Sequence, residues 1–531
     1  MNKIQVLDCT LRDGGYCNCW NFGEENIIKI VKGLCEANID IVECGFLTGL
    51  SSYKKGRTKY TDLGQLEAVI PQEKRGKCFV AMINEGEYDP EKLPYCDGKT
   101  VDGIRLAFHK DHMEQALRQC EIIKSKGYKL FLQPMVSLNY TDEEFIRLIY
   151  RANLLQPHAF YIVDSFGMMK QKNLIRLFYL VDNNLDKNIC IGFHSHNNLQ
   201  LAYSNAQYLV SISSGHSLII DSSVYGMGRG AGNLNTELFL EYLNENIDAG
   251  YVLEPLLDII DEILNDFYQK KPWGYSLPNY LSAIHNVHPG YAGFLDDKKT
   301  LTVKEMNEIF LMMEDNKRNS FDREYMDALY LEYMERGSSG AGRKHEFAKL
   351  LESKKVLLVA PGKSSTEERE KILGFVREND AVAISINFQY EYLPDTYIFV
   401  SNLRRYREMQ DSDMSRCIIT SNIKAERSYF QTEYKELLND VESVYDNAGL
   451  MAIRFLMVYG VREIYLAGFD GYSHSYQDNY GNDRLAFVSN TEVLDNMNEG
   501  MASVLEEYAK RVKIEFLTTP RMIHIGGNDE N

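Results

Sequence analysis

Two short stretches of the sequence combine residue types that could hold a metal ion. One is HSH at residues 194–196, and the other is RDGGY at residues 12–16. Each follows an apolar run typical of a buried strand, in which alternate side chains share a face. His194 and His196 therefore point the same way, and two imidazoles at that spacing can share a divalent ion with a carboxylate. We infer that Asp13 supplies this carboxylate.

Polar side chains also recur where other apolar runs end. Those that could do chemistry are Arg12 and Asp13 after IQVLDC, Glu43 in IVECGF, Arg105 in GIRLAF with His109 just beyond it, and Asp164 and Ser165 after AFYIV. In a barrel of parallel strands, the catalytic groups lie at the carboxyl ends of the strands, where the loops converge. We expect these residues to line one site, with Arg105, Asp164 and Ser165 contacting the substrate.

The elements that would position these residues are eight short apolar runs between residues 4 and 224. They read IQVLDC, IDIVECGF, KCFVAMI, GIRLAF, LFLQPMV, AFYIVDS, ICIGFH and LIIDSSV. Amphipathic stretches with apolar residues three and four apart lie between them, as helices packed on a sheet require. Eight such units predict a closed (β/α)8 TIM barrel over residues 1–249. An open doubly wound sheet is disfavoured, because RDGGY is not the glycine fingerprint G-x-G-x-x-G.

The remaining sequence divides into three parts. Residues 250–335 contain amphipathic stretches such as EPLLDIIDEILNDFY, which predict a helical extension. Residues 336–344 have the small, polar composition of a flexible linker. Residues 345–531 contain five apolar runs that predict an open, Rossmann-like α/β domain. These runs are VLLVAPGKSS, AVAISIN, TYIFVSN, CIITSNI and REIYLAGFDG.

The second domain carries a glycine turn, PGKSS, after its first run. It is not a P-loop, because Leu357 stands where that motif needs its first glycine. A turn at this place often binds a phosphate at a helix N-terminus, so nucleotide or phospho-sugar binding and a purely structural role both stay open. Asp470 and His474 follow a late strand and are the candidate functional residues of this domain.

The charge balance excludes some classes of partner. The net charge is −18, from 76 acidic and 58 basic residues, and Lys and Arg form no block. A nucleic acid or an anionic membrane is therefore not expected as a partner. No apolar run approaches the length needed to cross a bilayer, and the N-terminus does not resemble a signal peptide. We expect a cytoplasmic protein.

Six motifs occur in a fixed order along the predicted barrel. They are LDCTLRDGGY, IVECGF, GIRLAFH, YIVDSFG, GFHSHNNLQLAYSNA and GMGRGAGNLNTE. Together they resemble the DRE-TIM metallolyase superfamily, which is HMG-CoA lyase-like, and within it most closely the 4-hydroxy-2-oxovalerate aldolases. The resemblance covers residues 1 to about 245 and implies a metal-dependent carbon–carbon lyase.

The resemblance also implies roles for individual residues. Asp13 and the two histidines would bind the divalent metal, with Mn²⁺ the first candidate and Mg²⁺, Co²⁺ or Zn²⁺ also suited. Arg12 would stabilise an enolate oxygen, and Glu43 would hold Arg12 in place. Asn233 would be a further metal ligand. The helical extension resembles the one that meets a partner dehydrogenase in the aldolases, so a partner enzyme there and a homo-oligomer are both compatible with it.

The chemistry of an enolate explains why the motif RDGGY combines these residues. A 2-oxo acid bound to a metal enolises more easily, because the ion is a Lewis acid at the oxygen where charge develops. Arg12 adds a second cation at that oxygen. Asp13 holds the metal and Arg12 the enolate, so the two must be neighbours. We expect Gly14 and Gly15 to let the backbone turn close to the substrate.

The general base does not transfer from the resemblance. Tyr16 stands where the aldolases carry a histidine and where the acyl-CoA condensing synthases of the same superfamily carry a glutamine. A phenol with a reference pKa near 10 is a poor base unless nearby cations lower its pKa. Tyr16, His109 and a metal-bound water all stay open as the acid/base group. Tyr291 is a further candidate for the acid/base group and for a substrate contact, because it lies in a GYAG stretch that resembles one in the helical extension of the aldolases.

These observations predict a divalent-metal-dependent aldolase with a 2-oxo acid and an aldehyde as substrates. It would cleave or form a 4-hydroxy-2-oxo acid through a pyruvate enolate, and the fused second domain favours a role in carbohydrate biosynthesis. A Claisen-type acyl-CoA condensing synthase is one alternative, although RDGGY lacks the RDGEQ form of that branch. The other is a catalytically silent barrel that scaffolds a nucleotide-sugar or phosphate-transferring C-terminal domain.

Overall fold

Eight parallel strands close into a barrel in the computed structural model, which describes residues 3–298, 300–334, 343–425, 427–481, 489 and 491–523. The strands are β1 (Ile4–Asp8), β2 (Ile41–Leu47), β3 (Cys78–Asn84), β4 (Gly103–Phe108), β5 (Lys129–Pro134), β6 (Ala159–Asp164), β7 (Cys190–Ser195) and β8 (Leu218–Ser222). Each strand pairs with the next, and β1 pairs with both β2 and β8. This ring confirms the predicted TIM barrel.

Helices pack around the strands, but the alternation is incomplete. The barrel helices are Glu24–Glu36, Met113–Ser125, Asp142–Leu155, Gln171–Asn184, Ala202–Ser211 and Thr236–Ile247. After β2 and β3 the chain forms only the 3-10 turns Leu63–Leu66 and Pro90–Lys92, with a two-residue strand, Lys59–Tyr60, beside β2. Glycines and prolines recur through these two connections, and they disfavour longer helices.

The helix Asp142–Leu155 shows why such segments fold locally. Thr141 accepts a hydrogen bond from the amide of Glu144, whose side chain accepts one from the amide of Thr141, so the first turn is capped from both sides. The apolar residues of the helix, spaced three and four apart, form one buried face on the strands.

Side chains from the strands fill the barrel interior. The buried cluster inside it comprises Leu7, Cys9, Ile41, Val80, Phe131, Ala159, Tyr161, Val163 and Ile219. The strands are covered outside and filled inside, so most of their residues are apolar. The barrel is therefore a packed core, and its buried charged residues lie in the middle of the strands, at their carboxyl ends and in the turns that follow them.

A series of helices follows the barrel. Their bounds are Glu254–Ile259, the π-helical turn Ile260–Leu264, Asn265–Lys270, Leu277–Ile284, Pro289–Asp297, Val303–Met312, Arg323–Met334 and Arg343–Ser353. None of the helices in the described ranges is long and apolar enough to cross a membrane.

The chain folds into two compact units. The first contains the barrel up to Gly293 and the segment Glu314–Phe321, and the second contains Phe294–Met313 and the chain from Asp322 onward. The predicted linker 336–344 lies outside the described residues up to position 342, after which the helix Arg343–Ser353 begins. The domain boundaries drawn from the sequence stay a prediction.

Seven parallel strands form the sheet of the second unit. They are β9 (Val356–Val359), β10 (Val382–Ile386), β11 (Tyr397–Val400), β12 (Cys417–Thr420), β13 (Phe430–Thr432), β14 (Glu463–Ala467) and β15 (Lys513–Phe516). Their order is β13-β12-β11-β10-β9-β14-β15, an open doubly wound topology that reverses between β9 and β14. The sheet confirms the predicted Rossmann-like fold and adds β13 and β15, which are short and too polar to appear as apolar runs.

Helices of the second unit cover this sheet. They are Ser364–Glu367, Arg369–Asn379, Leu403–Arg407, Asp411–Met414, Ala448–Val458 and Thr491–Ala509.

Candidate active site

The three side chains predicted to bind a metal meet at the carboxyl end of the barrel. Asp13 ends the helical turn Thr10–Asp13 directly after β1, while His194 and His196 lie at the end of β7. All three are buried, and one ligand atom from each lies within 4.8 Å of the others. The two imidazole centroids are 5.1 Å apart.

Hydrogen bonds on the far side of each imidazole direct its free nitrogen toward Asp13. His194 Nδ1 lies 2.9 Å from Asp221 Oδ2, and His196 Nδ1 lies 3.1 Å from the backbone oxygen of Asp164. Both partners only accept, so both Nδ1 atoms carry a proton, and in the neutral form of each imidazole the Nε2 atom presents its lone pair. His196 Nε2 then faces Asp13 Oδ2 at 3.2 Å.

This arrangement brings three acceptors together and therefore fits a divalent cation. Burial lowers the pKa of His194, although Asp221 acts in the opposite direction. The lowered pKa favours the neutral form of His194, which can bind a metal. Burial alone would raise the pKa of Asp13, but the guanidinium of Arg12 holds it well below its usual value. A carboxylate and two neutral imidazoles are a common ligand set for a transition metal with open positions.

Asn233, the fourth predicted ligand, borders this cluster. Its Nδ2 donates to Asp13 Oδ2 at 2.8 Å, whereas its Oδ1 is buried and makes no hydrogen bond to any described residue. The loop that carries Asn233 passes very close to Asp13, because a Cβ at Gly228 would lie 2.8 Å from Asp13 Oδ2. Asn233 thus orients Asp13 in this structure, and rotation of its amide would turn Oδ1 to the cluster.

Arg12 lies on the wall of the same site. Its Nη1 donates to Asp13 and its Nε donates to Glu43 Oε2 at 2.9 Å. The Phe46 ring lies 5.7 Å from its Cζ. Burial would lower the pKa of Arg12, but Glu43 and Asp13 raise it well above its usual value, so the guanidinium stays charged. The structure thus brings the predicted Arg12 and Glu43 together beside the predicted metal ligands.

Arg105 is placed differently from the substrate contact that we expected. It is 0% exposed inside the barrel, where Nη1 donates to Glu43 Oε2 at 2.7 Å and Nη2 donates to Asp221. Its Cζ lies 5.0 Å from the Tyr161 ring. The side chain points down into the barrel, so Arg105 joins the carboxylate that holds Arg12 to the one that holds His194.

Asp164 and Ser165 shape the turn after β6. The Asp164 carboxylate accepts the amides of Met168 at 3.0 Å and Met169 at 3.1 Å, and burial raises its pKa to about 7. The Ser165 hydroxyl accepts the amide of Val136 at 2.9 Å. Both side chains are therefore engaged by the backbone, and what they offer the site is their carbonyl oxygens.

Tyr291 does not face the metal cluster. Its hydroxyl lies 2.8 Å from the carbonyl oxygens of both Lys317 and Ser320 and donates its one hydrogen between them, and its side chain is fully buried. This contact fastens the segment Glu314–Phe321 to the helix Pro289–Asp297. The expected place of Tyr291 near the substrate is therefore not observed.

Tyr16 is half-buried at the site, between Trp20 and Arg229. The Trp20 ring meets it edge-on at 4.6 Å, and the Arg229 Cζ lies 5.5 Å from its ring. Burial raises the pKa of Tyr16, and the opposing effect of Arg229 is smaller. The lowered pKa that a phenolic base would need is therefore not found, because the loss of hydration outweighs the nearby cations.

His109 lies at the exposed rim, directly before the 3-10 turn Lys110–His112. Loss of hydration on the protein side of its ring lowers its pKa, and the charges of His112 and Arg229 act in the same direction. His109 is therefore mostly neutral at pH 7, as a base must be.

Gly14 and Gly15 do not serve the close approach to the substrate that we expected of them. Gly14 has an ordinary helical φ of −60°. A Cβ at Gly15 would lie 2.1 Å from the Trp20 ring, and one at Gly14 would lie 2.9 Å from Met227 Sδ. The glycines therefore make room for side chains of the protein itself.

Three residues of the site were missed from the sequence: Arg229, His288 and Asp221. Arg229 lies in the loop after β8, within the quoted motif GMGRGAGNLNTE, where an arginine among glycines was the available signal. His288 precedes the helix Pro289–Asp297. Asp221 is the single acid in the apolar run LIIDSSV, and a lone acid in a buried strand is a signal for a paired charge.

In the second unit, the turn at the carboxyl end of β9 is occupied by the protein's own carboxylate. Asp470 Oδ2 accepts the amide of Ser364 at 2.7 Å, and Oδ1 accepts its hydroxyl. This is the position at which a phosphate would bind a glycine turn, so the contact disfavours a phosphate there. His474 is exposed and pairs with Asp495 at 2.7 Å.

Comparison with known proteins shows which family the sequence of the barrel resembles. A family profile described as HMGL-like matches residues 105–262. A 4-hydroxy-2-oxovalerate aldolase of Carboxydothermus hydrogenoformans is 30% identical over 270 residues, which cover 49% of this chain and 77% of that protein. One from Geobacillus genomosp. 3 is 29% identical over 268 residues, with coverage of 49% and 77%.

Solved structures give the same picture. The N-terminal domain of a Bacteroides vulgatus protein described as an aldolase has a TM-score of 0.50 at 29% identity, covering 56% of this chain and 98% of that domain. The carboxyl transferase domain of Rhizobium etli pyruvate carboxylase, solved with 3-bromopyruvate, has a TM-score of 0.50 at 12% identity over 66% of this chain and 64% of that one, and shows the fold alone. By its sequence relatives, the chain belongs to the HMGL-like, or DRE-TIM, family, and it is an aldolase-like enzyme.

Proposed function

We propose that the barrel is a divalent-metal-dependent aldolase that cleaves or forms a 4-hydroxy-2-oxo acid through the enolate of pyruvate. The observation that carries the proposal is the cluster of three acceptors, Asp13, His194 and His196, within 4.8 Å of one another and beside the guanidinium of Arg12. Relatives named 4-hydroxy-2-oxovalerate aldolase support the substrate class. A divalent ion held there would supply Lewis acidity to the oxygens of a bound 2-oxo acid.

Arg12 provides the charge that the enolate needs. Its guanidinium is oriented by Asp13 and Glu43, and it is 6% exposed, so little water screens it. A cation fixed before the reaction stabilises the enolate oxygen more than the neutral ketone, and this difference is what speeds the reaction. Glu43 and Arg105 act through Arg12 by holding it in place.

The identity of the metal follows from the ligand types. Two imidazoles with a carboxylate suit Mn²⁺, Co²⁺ or Zn²⁺ as well as Mg²⁺, and we propose Mn²⁺ because of its availability in the cell. The aldehyde product or substrate, the direction of the reaction, a homo-oligomeric state, and a partner enzyme at the helical extension all stay predictions from the sequence.

A pyruvate-release assay over a panel of 4-hydroxy-2-oxo acids, with Mn²⁺ added to metal-stripped protein, tests the proposal. We expect turnover that requires the metal, and its loss together with bound metal in a His194→Ala, His196→Ala double variant. His216→Ala is the matched control, because His216 is also buried but lies outside the cluster, bonded to the carbonyl of Ile189. Equal metal content in the double variant and the wild type would contradict the site.

Two further assays separate the alternatives. Release of free CoA from acetyl-CoA and a 2-oxo acid, without pyruvate release, would indicate a Claisen-type synthase instead. Stoichiometric metal binding without turnover of either substrate class would indicate a silent barrel.

A further inference from the structure

A second group of side chains lies at the mouth of the barrel, beside the metal cluster, and none of the roles above uses it. It consists of Arg229, in the loop after β8, and His288, directly before the helix Pro289–Asp297. Arg229 Nη1 lies 3.3 Å from His288 Nε2. The backbone amide of Arg229 points at Asp13 Oδ2 from 3.4 Å, so this group adjoins the metal ligands.

The ring of His288 is fixed as a neutral donor. Its Nδ1 accepts the amide hydrogen of Gly290 at 3.0 Å, in the first turn of the helix, so the proton of the neutral ring must be on Nε2. A second proton would oppose that amide and the helix dipole. Burial lowers the pKa of His288 well below its usual value, and Arg229 and His109 act in the same direction. His288 therefore presents an N–H at pH 7.

The contact between Arg229 and His288 is then a meeting of two donors. A guanidinium has no acceptor, and Nε2 of this tautomer has none either. Two N–H groups 3.3 Å apart do not bond to each other, but both can donate to a single oxygen atom that lies within reach of the two nitrogens. This is the reverse of the metal cluster, where three acceptors meet.

Arg229 also has no carboxylate partner among the described residues. Its Nη2 donates to the carbonyl oxygen of Ser165 at 2.9 Å, and its buried Nε donates to no described residue. Within the described ranges it forms no ion pair, in contrast to Arg12 and Arg105, which each bind two carboxylates. A guanidinium with free donors and no carboxylate is unfavourable when partly buried, unless an anion binds it.

We propose that Arg229 and His288 bind an anionic oxygen group of the substrate, of which a carboxylate is the class that fits a guanidinium and a neutral imidazole N–H. This inference rests on the proposed aldolase function and adds the substrate class that its mouth accepts. Two parts of the reacting pair could carry the group: the carboxylate of the pyruvate unit, or an acidic group on the aldehyde.

Charge supports the assignment. Asp13, Glu43 and Asp221 are the carboxylates that contact the buried guanidinium groups of Arg12 and Arg105, and a divalent ion would oppose them as well. Within this network alone one positive charge would remain, enough for the carboxylate or for the enolate but not for both, and the buried Asp8 and Asp164 add no positive charge to it. Arg229 supplies the second positive charge, so the site can hold an anionic substrate while the enolate forms.

The test compares Arg229→Gln and His288→Leu with the wild type, and His288→Gln keeps one N–H as the conservative variant. Arg147→Gln is the matched control, because Arg147 is exposed on the helix Asp142–Leu155. The probes are pyruvate, succinic semialdehyde as an anionic aldehyde that is not a 2-oxo acid, and propanal as a neutral aldehyde, each titrated into Mn²⁺-loaded protein by calorimetry. The same variants are assayed for exchange of the pyruvate methyl protons with solvent and for aldol addition.

We expect binding of one anionic probe to weaken about tenfold or more in Arg229→Gln and His288→Leu and less in His288→Gln, since a hydrogen bond to a charged group is lost. Weaker pyruvate binding, with a raised KM in proton exchange, assigns the group to the pyruvate carboxylate. Weaker binding of succinic semialdehyde, with pyruvate and propanal binding unchanged, assigns it to the aldehyde.

The inference is overturned if both anionic probes bind the variants within about twofold of the wild type, or if neither binds the wild type. Should the wild type bind pyruvate without exchanging protons or forming aldol products, the proposed aldolase function fails. The binding comparison between wild type and variants then still decides the role of Arg229 and His288.

Discussion

Asp221→Asn tests whether the carboxylate behind His194 sets the affinity of the metal site. Asp221 is 1% exposed, and its Oδ2 accepts both His194 Nδ1 at 2.9 Å and Arg105. An asparagine has the same shape, and its oxygen can still accept both bonds, so the change removes the negative charge and places an NH2 group at the position of Oδ1, which is buried and accepts no hydrogen bond from a described residue. The imidazole then becomes a weaker ligand, and among the described residues Arg105 keeps Glu43 as its one carboxylate partner.

The expected loss follows from that geometry. Replacing a carboxylate that supports a ligating histidine typically weakens metal binding 10–100-fold, or about 1.4–2.7 kcal/mol. We expect this range for Mn²⁺, measured by competition with a chelating dye. Asp182→Asn is the control, because Asp182 Oδ1 also faces a histidine, at 3.9 Å from His216 Nε2, but lies outside the cluster. A dissociation constant within twofold of the wild type, in folded Asp221→Asn protein, would refute the reasoning.

Four further predictions concern other parts of the chain. Arg12→Lys keeps the charge but loses the planar fork, so turnover should fall by about two to three orders of magnitude at little change in KM, and a mainly raised KM would count against the enolate role. Tyr16→Phe should cost less than about tenfold in pyruvate release, because the raised pKa of Tyr16 makes it a poor base; abolished release would show otherwise. Burial raises the pKa of Asp164 to about 7 in the folded protein, so the stability that its protonated form contributes is present below about pH 4 and is lost as the pH rises to 7. The melting temperatures of Asp164→Asn and wild type should therefore converge or cross between these pH values. A constant difference between the two melting temperatures would contradict this pKa shift. A fragment of residues 1–335 should keep its bound metal and its pyruvate release. It should also bind a hydrophobic dye, because its last helix, Arg323–Met334, loses its partners in the second unit. Loss of the metal from this fragment would contradict separable domains.

The barrel could be predicted because parallel strands carry their signal locally. A strand buried on both faces is a short, continuous apolar run, and all eight runs became strands. The connections after β2 and β3 were harder, since their turns contain little apolar periodicity. The strands β13 and β15 were missed for the same reason, because FQT and KIEF are half polar and depend on their neighbours in the sheet.

The two histidines of the predicted metal site were within reach of the sequence because their relative geometry is local. His194 and His196 share a face through the period of a strand, whatever the rest of the fold does. Side-chain direction is not local: Arg105 could point up to the substrate or down into the barrel, and its two buried carboxylates decide the matter. Pairs such as Arg229 and His288 lie 59 positions apart and meet only through the folded chain.

The buried charges inside the barrel have a consequence for how the protein folds. Asp221, Arg105, Glu43 and Arg12 alternate in sign around the interior, and the neutral His194 is bonded to Asp221. These five residues come from β8, β4, β2, the turn after β1 and β7, respectively. An intermediate that lacks the first or last strand would bury some of these groups without partners, at about 3–5 kcal/mol for each broken pair. Partly closed barrels are thereby penalised, so ring closure and assembly of the catalytic centre should occur as one cooperative event.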